Sequence, residues 1–198
     1  MISLPIGNQK FEIIRDQIAI ILVTELANQY TLTNDPNLNN IKGQVEAINP
    51  EDKTELPVIN VSFVRGDFGD LKANDGTNKG IYRYHIDVYV NAKTTQSAKG
   101  DNLSAIALQR IIGVIRTIID HPIYNTLGFS KGFIWRTKIN NIDIRDEGKN
   151  DALNSRMGRL TMEVQATEST DMPDGILIAG ANTHVTLHET EKGYYYSV

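Results

Sequence analysis

Between Ile81 and Asn91 the chain alternates cleanly. Tyr82, Tyr84, Ile86, Val88 and Val90 fall on one side, and Arg83, His85, Asp87 and Tyr89 on the other. Successive side chains of a strand point to opposite faces, so this run predicts a β-strand with one apolar face in the core. Its polar face is expected to meet solvent or a partner, which makes Arg83, His85, Asp87 and Tyr89 candidate interface residues. Asp87 is expected to be replaceable without loss of fold.

The flanking segments change period. Phe11, Ile14, Ile18, Ile21, Leu22 and Leu26 recur at helical spacing and predict a helix over Phe11–Tyr30. Ile13, Ile20 and Val23 put apolar residues on a second face, which needs cover from the rest of the chain or from a neighbouring subunit. A second helix is predicted over Leu103–Asp120, N-capped by Asp101 or Asn102 and stopped by Pro122. Its main face carries Ala107, Ile111, Val114, Ile115 and Ile118, and Leu108, Ile112 and Ile119 spill onto another.

Leu56–Val64 reads as a strand buried on both faces, joined to Ile81–Asn91 by a hairpin through Asn74-Asp75-Gly76. Phe133–Ile144 and Arg156–Thr167 form a second strand pair, linked by the charged, flexible Arg145–Ser155. Thr31–Glu55 is a long polar connection with one short strand near Gln44–Ile48. The composition shifts after Pro173, where Gly175–Ala181 and His184–His188 read as short strands before Tyr194, Tyr195 and Tyr196. The expected fold is therefore α+β: two helices on a mostly antiparallel sheet over residues 1–170, with a β-rich extension over 171–198.

Composition narrows the function classes. The 198 residues include no cysteine, which excludes disulfides and thiolate ligands. The formal net charge is −4, and Lys and Arg occur singly along the chain, so no basic stripe announces a nucleic-acid binder. The first residues lack the basic start and apolar core of a secretory signal. The longest apolar run, Ile18–Val23, is too short to span a bilayer, which needs about 20 residues.

Candidate chemistry is sparse. His184 and His188, with Glu189 or Glu191 nearby, could share a strand face and hold a metal, but a third ligand at a characteristic spacing is missing. His85 and Asp87 could act as a base and its orienter, yet no Gly-x-Ser-x-Gly elbow accompanies them. Arg65-Gly66-Asp67 sits where a strand gives way to a turn, which explains its glycine. Asp143-x-Arg145-x-Glu147-Gly148 fails as a calcium loop, with arginine at a ligand position and Asn154 in place of the closing glutamate. No phosphate loop or dinucleotide fingerprint appears, and no cofactor is expected.

The order of elements resembles the tail terminator, or tail completion, proteins of long-tailed bacteriophages. The resemblance rests on the helix Phe11–Gln29, the strand entry Leu56-Pro57-Val58-Ile59, the strand from Tyr84 to Val90, the helix Leu103–Ile119 with His121-Pro122 behind it, and the strand from Arg159 to Gln165. It covers about residues 8–168. The Thr31–Glu55 segment and the tail from Asp171 depart from the compact family pattern.

The resemblance implies a non-enzymatic virion protein at the head-proximal end of the tail. It implies a homo-oligomeric ring, typically a hexamer, seated on the tail tube protein and joined to a neck or head-completion protein, with the sheath as a further partner in contractile tails. DNA would pass through such a ring without sequence-specific contacts. The alternatives are another head–tail connector, or a small metal-dependent hydrolase using His85 or the His184 and His188 pair. Tyr194, Tyr195 and Tyr196 join the candidate interface residues, because tyrosines offer large amphipathic surfaces.

Overall fold

The computed structural model describes residues 7–47, 57–68, 77–95, 99–130, 132–150, 153–169, 186–190 and 193–197. Two compact units divide the chain, one of them Gly7–Thr170 and the other containing Asp171–Val198. The first unit is α+β: helices α1 (Lys10–Thr33) and α2 (Gly100–Asp120) lie with a sheet of strands β1 (Lys42–Val45), β2 (Val58–Phe68), β3 (Thr77–Ala92), β4 (Ile134–Asn150) and β5 (Leu153–Ser169). The strand order is β1-β2-β3-β5-β4, with β1 parallel to β2 and every other pair antiparallel.

Helix α1 forms where the helical apolar stripe predicts it and buries Ile14, Ile18, Ile21, Leu22 and Leu26. At its start the Glu12 carboxylate accepts the Gln9 backbone N–H at 2.6 Å, which satisfies a donor the helix cannot. At its end Asn34 adopts a left-handed conformation (φ 51°), which asparagine tolerates better than most residues, and its N–H donates to Tyr30 O. Lys99, with no side-chain cap, takes the N-cap of α2 in place of Asp101 or Asn102. Asp101 instead sits in the first turn and accepts both Nε and Nη2 of Arg156 on β5. His121 is extended, as a residue before proline must be, and ends the helix.

The two second faces meet different fates. Leu108, Ile112 and Ile119 of α2 are all buried in the chain's own core, so the need for outside cover disappears there. By length and composition α2 could cross a membrane, yet Leu108, Ile111, Ile112, Ile115, Ile118 and Ile119 are part of the core cluster. On α1 the outcome is the opposite: Ile13 and Ile20 are 38% and 59% exposed.

The helices cover one face of the sheet. Tyr82, Tyr84, Ile86, Val88 and Val90 of β3 and Leu160, Met162, Val164 and Ala166 of β5 join the helical isoleucines and leucines in a single apolar cluster. The buried Tyr84 hydroxyl donates to Phe11 O at 3.0 Å, so this core carries its polar atom without penalty. Gly158 makes close helix–sheet packing possible: a Cβ there would collide with Ile112 and press on Leu108. Gly43 does the same at the β1 edge, where a Cβ would strike Val23.

Several expectations are corrected. Strands β4 and β5 run on to Asn150 and back from Leu153, so most of Arg145–Ser155 is strand and only residues 151–152 separate the two. Asp143, Arg145 and Glu147 therefore lie in β4 and Asn154 in β5, in keeping with the rejection of a calcium loop there. Arg65-Gly66-Asp67 lies inside β2, where Arg65 pairs with Asp67 at 2.6 Å, not at a turn. The long polar connection shortens at its start: α1 runs to Thr33, a 3-10 turn occupies Pro36–Leu38, and the short strand falls at Lys42–Val45 rather than near Gln44–Ile48. The proposed hairpin tip at Asn74-Asp75-Gly76 and the strand Gly175–Ala181 lie outside the described residues.

In the second unit, β6 (Thr186–Thr190) and β7 (Gly193–Ser197) pair as an antiparallel hairpin, which sets His188 opposite Tyr195, Leu187 opposite Tyr196 and Glu189 opposite Tyr194.

Candidate functional site

The face of the sheet turned away from the helices collects most of the candidate residues. Because β2, β3, β5 and β4 lie side by side, their outward residues form rows across the strands. Arg65, Arg83, Glu163 and Lys138 make one row; Ser62, His85, Thr161 and Asn141 the next; then Asn60, Asp87, Arg159 and Asp143; and last Val58, Tyr89, Met157 and Arg145. Arg83, His85, Asp87 and Tyr89 therefore do share one face.

They do not share an exposure. Asp87 and Tyr89 are buried, at 3% and 8%, so the expectation of an exposed polar side fails for half of this set. For Asp87 an ion pair across the strands makes burial tolerable: Arg159 Nε and Nη2 donate to the two carboxylate oxygens at 2.7 and 2.8 Å. A bidentate Arg–carboxylate contact compensates the desolvated charge as a single point contact cannot. Asn60 flanks the pair and closes against β1's exit, where its amide both accepts from Ala47 N and donates to Ala47 O.

This arrangement also decides the His85–Asp87 reading. Both Asp87 oxygens are committed to Arg159, and no hydrogen bond joins Asp87 to His85. Burial and the neighbouring Arg159 and Arg145 guanidiniums hold the His85 pKa below its usual 6.5, with Asp87 opposing them only in part. The imidazole is therefore neutral near pH 7, without an orienting carboxylate. Among the described residues no group of His, Asp or Glu is placed to hold a metal ion. His184 and Glu191 lie outside those residues.

The chain matches no family model and no curated protein. Among solved structures it is similar to a chain from the "Virion of native gene transfer agent (GTA) particle", at 14% sequence identity, over 77% of this chain and 94% of that chain, with a TM-score of 0.44.

The rows bring together what the sequence scatters. Asp67 is held by Arg65 and, at 3.7 Å, by Arg83; Glu163 meets Arg83 at 3.5 Å. Each of these acids is thus answered by an arginine on the same face. Arg136, Lys138 and Arg145 of β4 are exposed and make no ion pair among the described residues. Lys79 of β3 lies over the Trp135 ring, 5.1 Å from its centroid, and that indole is 59% exposed. Residues separated by dozens of positions become neighbours only through the β3–β5–β4 register, so reading along the chain could not group them. The detectable signal was the alternation of Arg136, Lys138 and Asn140 within β4.

A second concavity, about 390 Å³, lies between α1, α2 and the 3-10 turn Pro122–Tyr124. Two ion-pair or hydrogen-bond contacts already engage its charged groups. The Tyr124 hydroxyl donates to Glu25 at 2.6 Å, which raises the Tyr124 pKa. Arg110 Nε donates to Asp35 at 2.7 Å and lowers the Asp35 pKa. These contacts tie the helices and the loop after α1 together.

At the two sheet edges apolar side chains stay uncovered. Beside β1, Ile20 of α1 and Val45 line a groove with Ala19, Val23 and Gly43. At the other edge Ile142 and Ile144 of β4 lie opposite Leu160 and Gly158, on the helix side of the sheet, and remain exposed.

Proposed function

We propose that this chain is a ring-forming tail terminator of a long-tailed phage or phage-like particle. In that reading it is a non-enzymatic virion protein that caps the tail tube and presents a surface for head attachment. The observation that carries the proposal is the pair of uncovered apolar flanks at opposite ends of one sheet. Ile13, Ile20 and Val45 stand at the β1 end, and Ile142 and Ile144 at the β4 end.

A two-fold contact would pair one flank with its own copy and leave the other flank uncovered. One flank of a subunit meets the other flank of the next, and a repeated heterologous contact of this kind closes into a ring when its rotation permits. The helix layer supports the same arrangement. α2 reaches β4 but leaves Ile142 and Ile144 exposed, so the α1 flank of a neighbour can pack there. The family resemblance adds the subunit number, typically six, and the tail tube and neck proteins as partners.

The test is assembly. Purified protein mixed with tail tubes and viewed by negative-stain electron microscopy should form rings on one tube end and stop further growth. Tubes that continue to lengthen in its presence, with no end density, would exclude the terminator role.

A further inference from the structure

We infer that the open face of the sheet, along β4, is a contact surface for a nucleic-acid phosphate backbone. Three observations carry the inference. Of the acids on this face, Asp67, Asp87 and Glu163 are each held by an arginine of the same face, and Asp143, on β4 between Lys138 and Arg145, accepts from the Asn141 amide. Arg136, Lys138 and Arg145 are left over, exposed and without an ion-pair partner among the described residues, and Lys79 joins them on the Trp135 ring. Even with Asp143 counted, cations outnumber acids on this face in a chain of formal net charge −4, so positive charge is segregated to one surface rather than spread by composition.

The shape of the cation set selects the partner. Arg136 and Arg145 lie on one strand, and at about 3.3 Å per residue they are separated by roughly 30 Å. A single carboxylate or phosphate cannot bridge that distance, whereas a polymer with a charge at every unit can engage the whole row. The surrounding rows of Thr161, Asn141 and Ser62 supply hydroxyl and amide groups that also suit phosphate oxygens. An exposed lysine on an edge strand serves also to discourage strand addition. That role needs charge on the edge only, and it does not account for acids being neutralised across the rest of the face.

Contacts of this type read no sequence, because phosphates are the same at every step. The inference depends on charge and strand register alone. It holds whether or not the chain forms a ring, so it can fail while the terminator reading survives, and the reverse.

The experiment uses the full chain and a short labelled DNA duplex, with fluorescence anisotropy read across a range of salt. Wild-type protein should bind with log affinity falling by about 3–4 per log unit of salt, as expected for that many neutralised phosphates. The variant R136Q/K138Q/R145Q should keep its thermal unfolding temperature and lose about one unit of slope for each cation removed. Should the triple variant fold poorly, K138Q alone should lower the slope by about one. Absence of salt-dependent binding by the wild type would overturn the inference. So would a folded triple variant with the wild-type slope, or polyglutamate binding as tightly and with the same slope as DNA.

Discussion

Arg159 on β5 grips both carboxylate oxygens of Asp87 on the neighbouring β3, and the aspartate is almost completely enclosed. On the same face Val58, Asn60, Tyr89 and Met157 are buried beside the pair, and Arg65, Lys138, Asn141 and Arg145 are exposed. Removing one partner leaves a buried charge without compensation, which costs more than the pair contributes when intact. Asp87→Ala should therefore destabilise the first unit by about 3 kcal/mol, at the low end of the range for buried pairs because Arg159 keeps some solvent contact. Asp87→Ala combined with Arg159→Met should recover much of that loss. Urea unfolding of the single and double variants checks the coupling; additive losses would mean the two side chains do not act together.

This pair also marks where sequence pattern stops being informative. The alternation from Tyr82 to Val90 correctly assigns which side chains face the helices, because burial on one side fixes strand register. It says nothing of what lies beside Asp87, since Arg159 is far away in sequence and meets it only through the β3–β5 pairing. The helices were legible from the stripes Ile14–Leu26 and Leu108–Ile119. The extent of their cover was not, because it depends on how many strands lie beneath each helix. Leu108, Ile112 and Ile119 find strands to pack on, whereas Ile13 and Ile20 do not. The long hairpin through Asn150 and Leu153 was hidden by a charged, glycine-containing sequence that resembles a loop in composition.

The packing of α2 on β5 rests on the absence of a side chain. At Gly158 a Cβ would press into Ile112 and Leu108, both buried. Gly158→Val should push the helix from the sheet and destabilise by about 1–3 kcal/mol. Gly113, exposed in the middle of the same helix with open space around it, provides the control. Gly113→Ala should stabilise by up to about 1 kcal/mol through helix propensity. Thermal unfolding of the two variants should move in opposite directions.

The lowered pKa of His85 gives stability a pH dependence. Burial and the Arg159 guanidinium disfavour the imidazolium in the folded state, whereas the unfolded chain protonates near 6.5. Below that pH the unfolded state binds more protons than the folded one. The stability present above about 6.5 should therefore decline as pH falls toward the lower folded-state pKa, and this component should then level off. His85→Gln should flatten that part of the profile. A wild-type and a variant curve with the same slope between pH 7 and the acid limb, in denaturant titrations, would remove His85 as the cause.

Gly7–Thr170 is a compact unit with its own apolar core, built from α1, α2 and the five-stranded sheet. Truncation after Thr170 should leave that unit folded, with a cooperative thermal transition. If the C-terminal unit with Tyr194, Tyr195 and Tyr196 serves assembly, the shortened chain should no longer cap tail tubes. Melting or aggregation of the truncated subunit alone would assign the segment to the core instead.

The ring contact can be trapped directly, because the chain has no cysteine and any introduced thiol is the only one of its kind. Ile20 flanks β1 and Ile144 lies in β4, at the two ends of a five-stranded sheet. At about 4.8 Å between strands, those ends are roughly 19 Å apart within one subunit, far beyond disulfide reach. I20C/I144C protein oxidised on assembled ends should therefore run as a ladder of covalent oligomers on a non-reducing gel, with its top band at the ring number. Each single-cysteine variant should stay monomeric, because a heterologous contact never brings two copies of the same flank together. Dimers from either single variant would replace the head-to-tail contact with a two-fold one. A double variant that assembles but yields no ladder would mean that these apolar flanks are not the surfaces that meet.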